Sequence, residues 1–173
     1  MSESSAAFRE ALSRFASGVT IVTAHTTEGP IGFTASAFSS VSLEPPLVLV
    51  CVAKKASVHA GLVGASLFGV SVLQEKQGWI AEKFARPGAN RFEGVELRAL
   101  AAVPIIDEAI AELECSRYAS HDAGDHTILV GKVLQASTRA GRPLLHYARS
   151  FGGFAAEPSR VREVASGGAG GPS

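Results

Sequence analysis

The sequence predicts a mainly β protein in which antiparallel strands form a closed or partly open barrel with a few peripheral helices. Short segments rich in Val, Ile and Thr recur along the chain, and turn-forming residues separate them. The usual dinucleotide motif of an α/β protein, Gly-x-Gly-x-x-Gly after a strand, is missing, as is a Walker glycine loop. The 173 residues suit one domain, which we place at residues 6–154, between a flexible start at 1–5 and a tail rich in Gly, Ser, Ala and Pro at 155–173.

Composition excludes several classes of partner. Sixteen basic and 16 acidic side chains give a formal net charge of zero, so no overall field draws the protein to nucleic acid or to an anionic membrane. No apolar run approaches the roughly 18–20 residues that span a bilayer. Cys51 and Cys115 both lie in apolar runs, which favours two buried, reduced thiols and a cytoplasmic location.

The first elements are a helix and a hairpin. Phe8, Leu12 and Phe15 recur at helical spacing, so we expect an amphipathic helix over residues 6–16. Residues 19–24 and 31–34 then read as two strands joined by a Glu-Gly-Pro turn.

Two further strands follow. Residues 34–43 alternate between hydroxyl-bearing and apolar side chains, so we predict one strand with one face on the core and the other carrying hydroxyls. Residues 47–53 are apolar at every position, which is typical of a strand that is covered on both sides.

The middle of the chain alternates helices and strands. We expect a short helix with Ser57 near its N-cap, a strand at 68–73 and a helix at 75–85 that places Trp79, Ile80 and Phe84 on one face. Residues 86–90 read as a loop.

A long hairpin is predicted near the C-terminus. Residues 109–116 alternate between apolar and polar side chains, and we favour a strand over the helix that propensity alone allows. The turn at 122–125 then leads into a second strand over 127–134.

The hydroxyl row and the strand beside it are candidates for binding a flat ring system such as isoalloxazine. The small Ala35, Ala37 and Ala53 permit close approach of the backbone to such a ring. A ribityl chain and phosphate need short hydroxyls and positive charge, which Ser36, Ser40, Lys54 and Ser57 offer. A solvent-facing Ser/Thr-rich strand, together with a separate lysine turn, explains the same residues without a ligand.

The densest group of titratable side chains is His121, Asp122, Asp125 and His126. His126 oriented by Asp125 suits acid–base chemistry near neutral pH. Ordinary turn polarity explains His121 and Asp122, and one turn is a poor source of converging metal ligands, so no metal site is predicted. A nucleophilic Cys51 is disfavoured by its apolar neighbours, while His25, His59 and His146 default to structural or exposed roles.

Several segments in combination resemble the short-chain flavin reductase family, the reductase components of two-component flavin monooxygenases. The similarity extends over roughly residues 8–154. The segments that carry it are SGVTIVT at 17–23, GFTASAFSSVSLEPPLVLVC at 32–51, RFEGV at 91–95, LEC at 113–115, GDHTILVGKV at 124–133 and PLLHY at 143–147.

The resemblance implies a Greek-key split barrel that forms a homodimer, with the flavin in a groove near the subunit interface. It implies an NAD(P)H:flavin oxidoreductase that reduces FMN or FAD and supplies reduced flavin to a partner monooxygenase. A non-catalytic flavin- or haem-binding protein and a ferric or cobalamin reductase are the alternatives on the same scaffold. The choice between NADH and NADPH, and the choice between FMN and FAD, stay open.

The resemblance also assigns roles to individual positions. His126 is the catalytic candidate and would meet the nicotinamide. The cofactor-binding candidates are Thr34, Ala35, Ser36, Ala37, Ser40, Cys51, Val52, Ala53, Lys54, Ser57, Phe84, Ala85, Arg91, Phe92, His126 and Tyr147. Ala37 departs from the family pattern, in which many members have a second Ser, so one hydroxyl contact is absent.

Overall fold

The structure, a computed structural model, describes residues 3–88, 90–100 and 102–155. Residues 3–5, expected to be a flexible start, begin the first helix, and almost all of the expected tail lies outside the described residues. The extent of the domain therefore stays a prediction.

Within these residues the chain forms three α-helices and twelve strands. The helices are α1 (Glu3–Ser13), α2 (His59–Gly64) and α3 (Gly78–Ala85), the last preceded by a 3₁₀ turn at Glu75–Gln77. The strands are β1 (Ser17–Gly18), β2 (Thr20–Thr26), β3 (Gly29–Ala35), β4 (Phe38–Leu43), β5 (Pro46–Ala53), β6 (Leu67–Val72), β7 (Leu97–Leu100), β8 (Val103–Ile106), β9 (Ala111–Ala123), β10 (His126–Thr138), β11 (Leu144–Tyr147) and β12 (Ser150–Gly153).

Seven strands form one antiparallel sheet that closes on itself. Their order is β3-β2-β6-β9-β10-β5-β4, so β3 and β4 lie at opposite edges although only Ser36 and Ala37 separate them in sequence. The three Cα steps from Ala35 to Phe38 span at most about 11 Å, so the two edges lie close together and the sheet curls into a barrel. The prediction of a mainly β, antiparallel barrel with few helices is confirmed.

The barrel interior is filled by aliphatic and aromatic side chains from almost every strand. Phe68, Val50, Val52 and Leu129 are all fully buried in this inner cluster. A second cluster fastens α3 to the outside of the barrel through Ile80 and Phe84, consistent with the predicted helix at 75–85. Trp79, predicted to share that face, is instead about half exposed.

The β7–β8 hairpin covers the outer face of β2, β6 and β9. It is fastened by Thr23 Oγ1, which donates to the Pro104 carbonyl, and by Ile106 N, which donates to Ser71 Oγ at 3.0 Å. Glu112 on β9 is buried below the hairpin and its carboxylate faces several donors. These are Arg98 Nε at 3.1 Å, Ser137 Oγ at 2.9 Å and Arg139 at 3.5 Å.

Two strand predictions need correction. The strand expected over 34–43 is broken at Ser36 and Ala37 by the crossing between sheet edges, and a bulge between Ser40 and Ser42 shifts the register again. Val41 and Leu43, expected on the core face, are 50% and 92% exposed. The strand at 47–53 is covered on one side only, because its buried and half-exposed side chains alternate.

The helix predicted at Ser57 begins later. Val58 occupies the N-cap position of α2 and makes no side-chain capping bond, while Ser57 lies in the preceding turn. The first helix also starts and ends earlier than its expected bounds of 6–16. No helix in the described ranges has the length and apolar character that a membrane span requires.

Candidate active site

The crossing between β3 and β4 creates an open strip of short side chains. Ala35 is buried, and its carbonyl accepts a hydrogen bond from Thr20 Oγ1 at 2.8 Å. Ser36 and Ala37 are exposed, and the Ala37 carbonyl accepts from Cys51 N at 3.1 Å. The crossing is therefore anchored at both ends by backbone carbonyls, while its middle leaves room above the outer face of β5.

The outer face of β5 forms the floor beside this strip. Leu49, Cys51 and Ala53 point outward and are half-buried, whereas the Val52 side chain points into the barrel and is fully buried. Only the backbone of Val52 is therefore available to a ligand. Cys51, expected to be buried, is partly accessible, and neither it nor Cys115 is in a disulfide.

A cleft of about 530 Å³ opens at one end of this floor. Its walls come from the crossing, from the C-terminal half of α1 and from the turn between β11 and β12. The lining residues are Arg9, Leu12, Ser13, Phe15, Ser17, Ser36, Ala37, Phe38, Ser39, Leu49, His146 and Arg149. Sequence reasoning found only Ser36 and Ala37 among them, although the similar segment at 143–147 already included His146.

The turn between β11 and β12 is tied to α1. Ala148 N donates to the Ser13 carbonyl at 2.8 Å, and Arg149 pairs with Glu10 at 3.2 Å. Ala148 and Arg149 have φ values of 47° and 64°, a left-handed conformation that is unusual for side chains with a Cβ. Tyr147 hydrogen-bonds the Arg14 guanidinium and raises the pKa of that group. The contacts of Tyr147 are thus with α1 and β12 rather than with the turn that carries His126.

The opposite end of β5 carries the His126 turn. His126 pairs with Ala53 across the sheet, and its Nδ1 lies 2.7 Å from Asp125 Oδ1. Lys54 reaches the same turn: its backbone N donates to the Asp125 carbonyl at 2.9 Å and its Nζ donates to the Gly124 carbonyl at 2.6 Å. The Lys54 ammonium also pairs with Asp122.

These pairs set the charge state of the turn. The Lys54 ammonium holds the pKa of Asp122 below its ordinary value through a hydrogen bond and charge attraction. His126 does the same for the pKa of Asp125, with a smaller contribution from Lys55. Asp122, which the sequence explained by ordinary turn polarity, therefore has a specific partner in Lys54.

The remaining candidates for the phosphate end are separated. Ser40 is exposed on β4, and Ser57 is exposed in the turn before α2. His59 Nε2 lies 2.9 Å from Thr127 Oγ1, next to His126 in sequence. His59 therefore has a specific partner on β10, which sequence reasoning missed.

The candidates on α3 and its following loop adjoin the start of the crossing. Thr34 Oγ1 donates to the Ala81 carbonyl at 2.6 Å, which ties the end of β3 to α3. Phe84 is buried and meets Phe92 edge to face at a centroid distance of 5.0 Å. Ala85 is exposed where α3 ends.

The guanidinium of Arg91 is held by backbone carbonyls. It donates to Gly32 O at 2.9 Å and to Arg86 O at 3.1 and 3.2 Å. The Arg91 side chain therefore fixes its loop against β3 in this structure.

The structure brings six of the candidates together on the outside of the barrel. They are Ser36 and Ala37 at the crossing, Cys51, Ala53 and Lys54 at the end of β5, and His126 opposite Ala53. The side chains of Ala35, Val52 and Phe84 are buried. Short side chains and an imidazole suit a flat, polar-edged ring. No group of three metal-ligating side chains occurs in the described ranges.

Comparison with protein families gives one match along most of the chain. The family described as "Flavin reductase like domain" matches residues 12–155. Among curated proteins, the chain is 46% identical over 153 residues to the FMN reductase (NADH) SmoA of Agrobacterium fabrum, covering 88% of this chain and 87% of the relative. It is 40% identical over 149 residues to the reductase component of 4-nitrophenol 4-monooxygenase/4-nitrocatechol 2-monooxygenase of Rhodococcus opacus, covering 86% and 80%.

Solved structures share the fold at similar identity. The NADH:FAD oxidoreductase SgcE6 of Streptomyces globisporus, in complex with NAD and FAD fragments, superposes with a TM-score of 0.83 and 38% identity. That match covers 87% of this chain and 93% of the other. A putative oxidoreductase of Sinorhizobium meliloti gives a TM-score of 0.81 and 40% identity, and there the chain spans only 51% of the other protein.

Proposed function

Because the chain belongs to the flavin reductase-like domain family, we propose that it is a flavin reductase that takes hydride from NADH and delivers it to FMN or FAD. The observation that carries the proposal is the grouping of Ser36 and Ala37, the end of β5 and His126 on the outside of the barrel. Several relatives that this chain matches over most of their length are named as NADH-dependent reductases of FMN, FAD or flavin. Their names favour this activity over a non-catalytic binding role.

The strip and β5 fit the flavin. Short side chains at Ser36, Ala37 and Ala53 leave a flat space, and the backbone groups at its border suit the polar edge of the ring system. When bound, the flavin supplies a two-electron acceptor, the hydride chemistry being that of the two cofactors. The chain has to align two flat rings at contact distance and keep water away from them.

His126 is the candidate for contact with the nicotinamide. Asp125 fixes one ring nitrogen of His126, which leaves the opposite edge of the imidazole available as a hydrogen-bond partner. Its pairing with Ala53 at the end of the β5 floor supports contact with a nicotinamide stacked on the proposed flavin. No further acid or base is required, because hydride transfer moves no proton from the protein.

We propose a homodimer in the cytoplasm as the working form. Apolar side chains exposed on β4 and β10, the two strands that flank β5, support a subunit interface there; they include Val41, Leu43 and Leu134. A partner subunit on this face would also border the flavin surface. Light scattering of the purified chain tests the proposal, and a monomer at micromolar concentration contradicts it.

We also propose that the reduced flavin is handed to a monooxygenase. Relatives named as reductase components support this role, among them that of trigonelline monooxygenase of Acinetobacter baylyi. Loss of nicotinamide absorbance at 340 nm on mixing protein, NADH and FMN tests the reductase activity itself. If neither NADH nor NADPH is consumed with FMN, FAD or riboflavin, the proposed function is wrong.

The role of His126 is tested separately. His126→Ala should weaken the use of NADH by about tenfold and leave flavin binding unchanged, because one hydrogen bond to the nicotinamide is lost. Flavin binding is followed by fluorescence quenching. Equal loss of both affinities would contradict the assignment.

A further inference from the structure

We propose that Asp122 and Lys54 form a positioning pair that holds His126 in the orientation required by the nicotinamide. This inference rests on the proposed function and adds two residues to it. Lys54 was expected to face the flavin phosphate, and Asp122 was expected to have no specific role.

The His126 turn has little packing to hold it. Asp122 is 80% exposed and Asp125 is 90% exposed, and the turn lies at the far end of the long β9–β10 hairpin. Gly124, with φ of 64°, supplies the left-handed residue that the tight turn needs. A turn of this kind moves easily unless polar contacts tie it to the barrel.

Lys54 supplies those contacts from the end of β5. Its backbone N bonds the Asp125 carbonyl, its Nζ bonds the Gly124 carbonyl at 2.6 Å, and the same ammonium pairs with Asp122. Three links from one residue therefore reach three of the four residues at 122–125. The carboxylate of Asp122 directs the flexible Lys54 side chain toward the turn and away from the open surface.

The pairing also gives each carboxylate its own hydrogen-bond partner. Asp122 takes Lys54, and Asp125 is left to His126 Nδ1 at 2.7 Å. The Lys54 ammonium lies beside Gly124, which is next to Asp125. If Asp122 is removed, this ammonium is free to compete with His126 for the Asp125 carboxylate. Loss of the Asp125 contact frees the imidazole to rotate, so the effect of Asp122 reaches the nicotinamide through Lys54, Asp125 and His126.

The test compares Asp122→Asn and Lys54→Met with Lys132→Met, an exposed lysine of β10 far from the turn, as the control. We expect each of the first two variants to raise KM for NADH by about tenfold, the size of one charge-assisted hydrogen bond, with KM for FMN unchanged. The double variant should raise KM for NADH no further than the more damaging of the two single variants does, because both changes break the same pair. Lys132→Met should behave as wild type.

Riboflavin, which lacks the phosphate, separates positioning from phosphate binding. If Lys54 is a positioning residue, Lys54→Met leaves the ratio of KM for FMN to KM for riboflavin unchanged. If Lys54→Met raises KM for FMN alone, or if Asp122→Asn lowers it by freeing the ammonium, the inference is overturned. Inactive wild-type protein would instead reject the proposed function.

A spectroscopic readout does not depend on turnover. In ¹H–¹⁵N spectra of the ligand-free protein, the His126 ring should show a protonated Nδ1 held by Asp125, and this signature should weaken in Asp122→Asn. Asp122→Glu, which keeps the charge, should restore it. An unchanged His126 signature in Asp122→Asn would contradict the inference even if the kinetics change.

Discussion

Gly131 of β10 tests how tightly the barrel interior is packed. A Cβ at this position would lie 2.8 Å from Phe68 Cε1, closer still to Phe68 Cζ, and 2.9 Å from Cys115 Cβ. Ordinary van der Waals contact begins at 3.4 Å, so the ring has to retreat by roughly 1 Å. Phe68 and Cys115 are fully buried, so neither has solvent to move into.

We therefore expect Gly131→Ala to lower the free energy of unfolding. Overpacking of a close-packed core costs about 1–3 kcal/mol, and the reduced entropy of the unfolded chain offsets about 0.5–1 kcal/mol of this. Because both Phe68 and Cys115 obstruct the added methyl group, the cost lies in the upper part of this range and the net loss is about 1–2 kcal/mol. The loss should shrink in the double variant with Phe68→Leu, because the ring that blocks the methyl group is gone.

Urea unfolding followed by far-UV circular dichroism measures this loss as a shift of the midpoint. Gly152→Ala is the matched control, because a Cβ at Gly152 meets nothing within 4 Å. The reasoning is refuted if Gly131→Ala is as stable as wild type, or if its cost simply adds to that of Phe68→Leu.

Three further changes test other parts of the structure. Glu112→Gln should lower the free energy of unfolding by about 2 kcal/mol, because it removes a buried carboxylate from two arginines. The loss is not larger because Arg98 and Arg139 are part exposed and screened by water. Unchanged stability in urea would contradict this. Burial raises the pKa of the Cys115 thiol to about 12, so at pH 8 this thiol stays protonated and a disulfide reagent should label Cys51 alone in the native protein and both thiols in urea. Thr34→Val should cost about 1 kcal/mol through loss of the bond to the Ala81 carbonyl, and hydrogen exchange of the α3 amides should accelerate; equal exchange would show that Thr34 does not hold this helix.

The long C-terminal hairpin was predictable because its pattern is local. Residues 111–116 alternate with period two and the turn at 122–125 carries a glycine, so strand and turn followed from neighbouring residues alone. The competing helix is excluded in the structure by partners on both sides, since β9 pairs with β6 and with β10. Strand length was underestimated because long-range pairing extends both strands to 13 residues.

The break in the strand at 34–43 was not predictable from alternation. Ser36 and Ala37 have the same local pattern as their neighbours, and only the meeting of distant sheet edges makes the chain bend there. The pattern at 47–53 misled for a related reason. The leucines on the outer face of β5 are only half-buried in this chain. An apolar residue at every position of the strand therefore did not mean that both of its faces are buried.

The candidate site stays a prediction, and the long-range pairs among its residues could not be read from the sequence. Lys54 and Asp122 are far apart in sequence, and each has an ordinary explanation in its own turn. Their pairing follows from the register that sets His126 opposite Ala53, which composition does not reveal. The cleft between α1 and the β11–β12 turn was missed because it joins the two ends of the described chain.

Closure of the barrel and opening of the flavin surface have the same structural cause. The crossing between the sheet edges takes only Ser36 and Ala37, whose short side chains are exposed beside β5. The Ala37 carbonyl of the crossing accepts a hydrogen bond from the backbone N–H of Cys51. The short side chains of Ser36 and Ala37 leave the outer face of β5 uncovered. Bulky residues there would fill that face and serve the barrel equally well, since Ser36 and Ala37 are exposed and contribute little to the core. Short side chains at the crossing are therefore a requirement of the proposed flavin site rather than of barrel stability.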